Sequence, residues 1–295
     1  MRIHTLDLRF QGKPGIIAAF LIEAGKDLAL IETGPGSTLP VLQEEIRKRG
    51  FSMENVRHVF VTHVHLDHAG AAGWWAQQGA TVFAHGRAAP HLIDPGKLLD
   101  SSRRVYGDKM DSLWGETLAA PEDKVVVLKD GEAVKIGKLK IAALDTPGHA
   151  RHHHAFVCED VCFTGDVAGM RLEQSGYFSV TAAPPQFDPV AYSDSLARLE
   201  SLKFSKLYLT HFDAVSDVSQ HLAHYASRVE QVYDFVREQM DAGNDHEAVK
   251  KAYADFEHAA AMRSISHDLW QKYELGNPTA MCADGIALYC EKNPV

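Results

Sequence analysis

Residues 60–68 read Phe-Val-Thr-His-Val-His-Leu-Asp-His, and they constrain this chain more than any other stretch. Three histidines and an aspartate fall within six positions, directly after a β-branched and aromatic run that reads as a buried strand over 56–61. At an extended strand end, His63 and His65 project to the same side. Asp67 and His68 follow as the chain turns into a small-residue helix, expected over 69–78. Two ligand groups then face one cavity from either side of a loop. Imidazole with carboxylate suits zinc, iron or manganese, and a cluster this dense argues for two ions rather than one. The plain alternative is a surface loop rich in histidine, because the chain carries 17 histidines in 295 residues. Four potential ligands in one strand-to-helix loop favour the metal.

A chain of this length, 45 % hydrophobic, can bury a large core as one domain or two. Its formal net charge of −9 leans against a nucleic-acid partner, which wants a basic face for phosphate. Cys158, Cys162, Cys282 and Cys290 fit no zinc-ribbon or redox spacing and read as small apolar packing residues in a reducing compartment. The first residues lack the charged-then-apolar pattern of a signal peptide, and nowhere do 18 apolar residues run together. The expectation is a soluble, cytoplasmic protein with a small-molecule partner, no membrane span and no nucleic acid; the sequence does not give the oligomeric state.

Strands are expected over 3–10, 15–24 and 27–31, then a helix over 39–49 with Leu39, Leu42 and Ile46 on one face. Another strand is expected over 81–84, and 86–116 reads as mostly helical. From 124 to 145 the pattern changes to hairpins at Asp130-Gly131 and Gly137-Lys138, with a further one at Glu159-Asp160. A helix over 188–202 and a short strand over 207–209 follow. Two β-sheets between helical layers fit that order. Beyond His211, Val218, Leu222, Tyr225, Val229, Val232 and Val236 recur at helical spacing. Two more helices are expected over 246–262 and 264–273.

Three later positions repeat the theme of a polar donor after an apolar strand: His149 after Thr146-Pro147-Gly148, Asp166 after Thr164-Gly165, and His211 after Leu207-Tyr208-Leu209-Thr210. With His-x-His-x-Asp-His at 63–68, these motifs make the chain resemble the metallo-β-lactamase superfamily over roughly residues 1–215. The resemblance implies an α/β fold, a four-layer αββα sandwich over 1–215, with a helical C-terminal extension over 216–295. It also implies that His63, His65 and His149 hold one metal, Asp67, His68 and His211 the other, and that Asp166 bridges them. Two divalent ions, zinc by default and iron or manganese as alternatives, would make the chain a hydrolase. The implied reaction is attack of hydroxide from the dinuclear site on an ester-like bond, with Asp67 also orienting the nucleophile.

Where the family usually carries an aspartate after its third strand, this chain has Glu32. Two readings stay open: Glu32 accepts a hydrogen bond from a ligand's ring nitrogen, or it merely caps the turn. His65 stands where diiron oxidoreductases of the superfamily carry glutamate, which argues against that branch. His153, four residues after His149, and the C-terminal helices resemble glyoxalase II, which cleaves a glutathione thioester. Arg151-His152-His153-His154 departs from that enzyme's small residues, and Lys250 and Lys251 are weak stand-ins for its basic contacts. Lactonases of the superfamily are equally compatible; they place a tyrosine near the carbonyl, for which Tyr177 or Tyr192 is a candidate and ordinary packing the alternative. A mononuclear iron dioxygenase acting on a glutathione persulfide-like substrate is the competing reading, with His63, His149 and Asp166 as its ligands. Family architecture also places 86–116 and 168–188 at the mouth of the site.

Overall fold

The apolar runs of the chain pair into antiparallel and parallel ladders that end on polar loops, and these loops carry the donors. A computed structural model describes residues 1–25 and 27–294. By packing, the chain forms two compact units: Met1–Asp145 with His152–Gly165, and Thr146–Arg151 with Asp166–Val295.

In the first unit, β1 (Arg2–Asp7), β2 (Ala18–Ala24), β3 (Asp27–Ile31), β4 (Val56–Phe60), β5 (Thr81–His85) and β6 (Val125–Leu128) form one sheet in chain order. The first three strands pair antiparallel and the rest parallel. Parallel neighbours need crossovers, and helices supply them. Helix α1 (Leu39–Lys48), burying Leu42 and Ile46, links β3 to β4. Helices α2 (Leu66–Ala69) and α3 (Ala72–Gln77) link β4 to β5, and α4 (Ala89–Ile93), α5 (Gly96–Tyr106) and α6 (Met110–Trp114) link β5 to β6. Strands β7 (Ala133–Ile136), β8 (Leu139–Asp145), β9 (His154–Cys158) and β10 (Val161–Gly165) pair antiparallel in a second sheet. The sheets meet through Phe20 on Phe163, with ring centroids 5.4 Å apart, and Phe60 on Phe156 at 5.2 Å. Such aromatic pairs supply much of the area that a sandwich core buries.

Two local expectations change. Gly137-Lys138 does turn a hairpin, pairing Ile136 with Leu139, but Asp130-Gly131 does not. Strand β6 pairs with β5, Val82 opposite Val125, so the 130–131 turn passes the chain from one sheet to the other. The helix expected over 69–78 is two helices, and the first begins at Leu66, so Asp67 and His68 are already helical.

The second unit contains α7 (Pro189–Ser201), the hairpin of β11 (Lys206–Leu209) and β12 (Asp213–Val215), and helices α8 (Val218–Asp241), α9 (His246–Ala261), α10 (His267–Gly276) and α11 (Thr279–Lys292). Asp188 caps α7, Asp245 caps α9 and Ser266 caps α10, each accepting from backbone N–H groups of the first turn. The α8 stripe from Val218 to Val236 is buried. Helix α11 has no counterpart in the sequence reading. Its inner face is Cys282, Ala283, Gly285, Ile286 and Cys290, too small to register as a hydrophobic stripe. A linear boundary at 215 separates these helices from the motif-bearing chain, whereas packing groups them with 146–151 and 166–215. All four cysteines are buried thiols. Among the described residues, no helix is long and apolar enough to cross a membrane.

Candidate metal centre

The first unit carries a contiguous set of donors. Strand β4 stops at Phe60, and the loop that follows carries His63 and His65, whose rings lie 4.5 Å apart. Backbone N–H groups of His68 and Ala69 return to the His65 carbonyl and start α2, which brings the His68 ring within 4.1 Å of His63. The turn at 33–36 lies beneath this loop: Thr33 donates to the His68 carbonyl through both its N–H and its hydroxyl. Glycine is required at 70, where a Cβ would stand 2.4 Å from the Leu66 carbonyl oxygen.

Glu32, fully buried at the end of β3, organises these histidines. Its Oε1 lies 3.0 Å from His68 Nδ1 and accepts from the Thr62 hydroxyl at 2.6 Å, while Oε2 accepts from the Thr62 N–H. The Thr62 hydroxyl, having spent its proton on Glu32, accepts from His63 Nδ1 at 3.0 Å. An acceptor at Nδ1 puts the ring proton there and leaves Nε2 with its lone pair available. One carboxylate thus fixes the tautomer of His68 directly and of His63 through Thr62. His68 Nε2 lies 3.5 Å from Asp67 Oδ2.

The second unit carries a dispersed set: His149 in the segment 146–151, Asp166 just past β10, and His211 just past β11. Segment 146–151 is fastened to α7 by Ser195, which donates to the Pro147 carbonyl, and by Asp188 N–H on the Gly148 carbonyl. Gly148 has φ +135°, and a Cβ there would meet Tyr192 at 2.6 Å. His149 Nδ1 lies 2.8 Å from the Thr181 carbonyl, which only accepts, so Nδ1 carries the proton and Nε2 the lone pair. That Nε2 stands 3.4 Å from Asp166 Oδ2, and His211 Nε2 stands 3.4 Å from Asp166 Oδ1.

These separations test whether the residues fit a metal. A charge-assisted N–H···O bond would draw its atoms to about 2.7–2.9 Å. Instead a lone-pair nitrogen faces a carboxylate oxygen at 3.4 Å, which is repulsive unless a cation lies between them. With metal–ligand bonds of about 2.0–2.1 Å, the edge of a tetrahedron is about 3.4 Å. The donor set therefore fits a metal, and each oxygen of Asp166 faces a different histidine.

A second His/Asp/His group lies in the first unit and does not fit in this way. His85, Asp145 and His154 bring their donor atoms within 4.8 Å of one another. His154 Nε2 is only 2.7 Å from Asp145 Oδ1, a hydrogen bond. His85 Nδ1 accepts from the Arg87 N–H, so its Nε2 carries the proton and faces Asp145 as a donor. Burial lowers both imidazole pKa values, His154 to about 4. This is a carboxylate held by two neutral imidazoles.

His153 is buried beside His63, with ring centroids 5.0 Å apart, and packs where a Cβ on Gly165 would approach its Nε2 to 2.7 Å. His152 lies 6.2 Å from His63 and 5.8 Å from His65. Tyr177 is buried, its hydroxyl donating to Glu257, which also pairs with Arg228. Tyr192 is buried on Thr181. Both hydroxyls are thus engaged by partners within the second unit. Thr62 and Thr181 did not emerge from the sequence; Thr62 sits beside the motif, and nothing local marks Thr181.

Two facing sheets with imidazole and carboxylate donors at their strand ends define a class of metal-binding α/β sandwich. The chain belongs to the metallo-β-lactamase superfamily, whose sequence profile matches residues 12–211, 200 of the 295. It is 29 % identical over 187 residues to metallo-beta-lactamase fold-containing protein ST1585 of Sulfurisphaera tokodaii, covering 60 % of this chain and 69 % of that one. It is 28 % identical over 211 residues to thioesterase pkgB of Emericella nidulans, covering 71 % of this chain and 49 % of that one. The chain spans less than two thirds of the length of the fungal relatives it matches. The solved structure of metallo-beta-lactamase family protein TTHA1429 from Thermus thermophilus shares the fold, with a TM-score of 0.71 at 20 % identity, covering 98 % of this chain and 93 % of that one. The αββα fold with C-terminal helices is that of the superfamily.

Proposed function

We propose that this protein is a dinuclear metal-dependent hydrolase that cleaves an ester-like bond, a thioester before a lactone, in a small molecule. The observation that carries the reading is Asp166, with each carboxylate oxygen 3.4 Å from a different histidine Nε2. In this reading His63, His65 and His149 hold one ion, Asp67, His68 and His211 the other, and Asp166 joins them. Divalent ions held there, zinc by default and iron or manganese as alternatives, would lower the pKa of bound water and polarise an acyl carbonyl. The chain's own residues do the rest: Glu32 and the Thr181 carbonyl keep ring protons off the ligating nitrogens, and Asp67 orients the nucleophile. The thioester preference draws on the thioesterase among the relatives.

The test is hydrolysis of S-lactoylglutathione, a pantetheine-linked acyl thioester and an acyl lactone by protein of measured metal content. Thioester turnover with about two ions per chain, lost in Asp67→Ala, is the expected result. Lactone turnover alone moves the substrate class. One iron per chain, no hydrolysis and oxygen uptake with a persulfide would replace the reading with the mononuclear dioxygenase.

A further inference from the structure

We propose that Thr181 is a positioning residue through which the C-terminal helices set the geometry of Asp166 and His149. The inference rests on reading those two residues as metal ligands, and it assigns the helices after 215 a part in the centre.

Thr181 is 2 % exposed and uses every polar group it has. Its carbonyl accepts from His149 Nδ1 at 2.8 Å, and its hydroxyl donates to the Asp166 carbonyl at 2.9 Å. One residue thus fixes the ring of one donor and the backbone of another. Its N–H donates to the Tyr225 hydroxyl at 3.3 Å, and Tyr225 in turn donates to the Tyr192 hydroxyl at 3.3 Å. The Tyr192 hydroxyl completes the bracket, 2.8 Å from Thr181 Oγ1, 3.1 Å from the Thr181 carbonyl and 3.2 Å from the Asp166 carbonyl. Burial raises both tyrosine pKa values, Tyr225 to about 12, so the hydroxyls keep their protons at neutral pH.

Both neighbours of Thr181 are pinned by the C-terminal helices. The Val180 carbonyl accepts from Asn277 Nδ2 at 3.0 Å and from the Cys282 thiol at 3.3 Å. The Ala182 carbonyl lies against Gly285 of α11, where a Cβ would stand 1.8 Å from it. Tyr225 comes from α8, Asn277 from the end of α10, and Cys282 and Gly285 from α11. Three helices therefore converge on residues 180–182. A stretch without regular structure of its own is held rigid by them, and it carries the contacts to both donors. Packing alone would not direct so many hydrogen bonds to one backbone segment; holding ligands to a fraction of an ångström would.

The experiment uses residues 1–295 loaded with zinc. Zinc affinity is measured by chelator competition, and the visible spectrum of the cobalt-loaded form reports ligand geometry. Thr181→Val removes the hydroxyl and keeps the carbonyl on His149. It is expected to weaken zinc binding about 10–100-fold and alter the cobalt spectrum, while Thr181→Ser restores both. Tyr225→Phe, which touches neither donor, is expected to shift affinity in the same direction by a smaller factor; it remains informative should Thr181→Val fail to fold. Wild-type zinc affinity and cobalt spectrum in folded Thr181→Val or Tyr225→Phe would overturn the proposal. A wild-type protein that binds no metal would instead remove the metal centre itself, and the positioning role with it.

Discussion

The two donor sets solve one problem by different means. The first unit supplies His63, His65, Asp67 and His68 from a single loop and braces two of them with one acidic side chain, Glu32, which holds His68 directly and His63 through Thr62. The second supplies His149, Asp166 and His211 from three separate segments and braces two of them with neutral groups, the Thr181 backbone and hydroxyl backed by two tyrosines. A contiguous motif needs only a local prop. A dispersed one needs a scaffold that draws distant segments together, and here that scaffold includes the helices after residue 215.

The comparison breaks most visibly at the ligands. Asp166→Ala removes the carboxylate that faces both His149 and His211, and is expected to lose both ions and turnover by about 10³-fold or more. Asp67→Ala is expected to abolish turnover with the fold intact, and His211→Ala to lose about one ion per chain. Metal analysis beside far-ultraviolet circular dichroism checks all three; equal metal loss in Asp166→Ala and His211→Ala would deny the bridging role.

Next in size is a stability effect confined to the second unit. Glu257 is buried with Arg228 and the Tyr177 hydroxyl as partners. Glu257→Ala leaves a buried guanidinium uncompensated and should cost about 3–5 kcal/mol in denaturant unfolding. A loss below about 1 kcal/mol would mean that water reaches the site.

Glu32→Gln sharpens the contrast in the first unit. A neutral amide replaces the carboxylate, so zinc affinity should fall about 10–100-fold, measured by chelator competition. An unchanged affinity would reduce Glu32 to a turn residue, the other reading its sequence position allows.

A pH effect should appear in metal-free protein. Burial, ahead of every other cause, lowers the His221 pKa to about 4, and its Nε2–H donates to the Ala168 carbonyl. Its folded pKa lies below the ordinary histidine value of about 6.5, so unfolding takes up a proton as pH falls between those values. Stability is full above about pH 6.5 and declines toward pH 4, by about 3 kcal/mol for this residue. Unfolding curves of wild type and His221→Gln across that range should diverge in slope; parallel curves would place the acid sensitivity elsewhere. The smallest effect is expected at His85, where replacement by alanine should leave metal content unchanged, because Asp145 there is held by protons.

Legibility in the sequence followed the same division. The 63–68 loop announced itself because its donors are adjacent and follow a strand run. His149, Asp166 and His211 are each unremarkable alone and became readable only through their order and their resemblance to a family. The six-strand order of the first sheet was partly hidden, because Val125-Val126-Val127-Leu128 has the same local pattern whether it turns back or pairs parallel with β5. Helix α11 was missed because alanine, glycine and cysteine bury a face without a hydrophobic stripe. Thr181 could not have been found at all: its role comes from three helices, the 146–151 segment and the residue after β10 meeting around one stretch.

The central claim is that Asp166 bridges two ions, and manganese reports on it directly. Protein loaded with two equivalents of Mn(II) should give the broad, spin-coupled electron paramagnetic resonance spectrum of a carboxylate-bridged pair. A six-line spectrum of isolated ions at full loading, or saturation at one ion per chain, would contradict it.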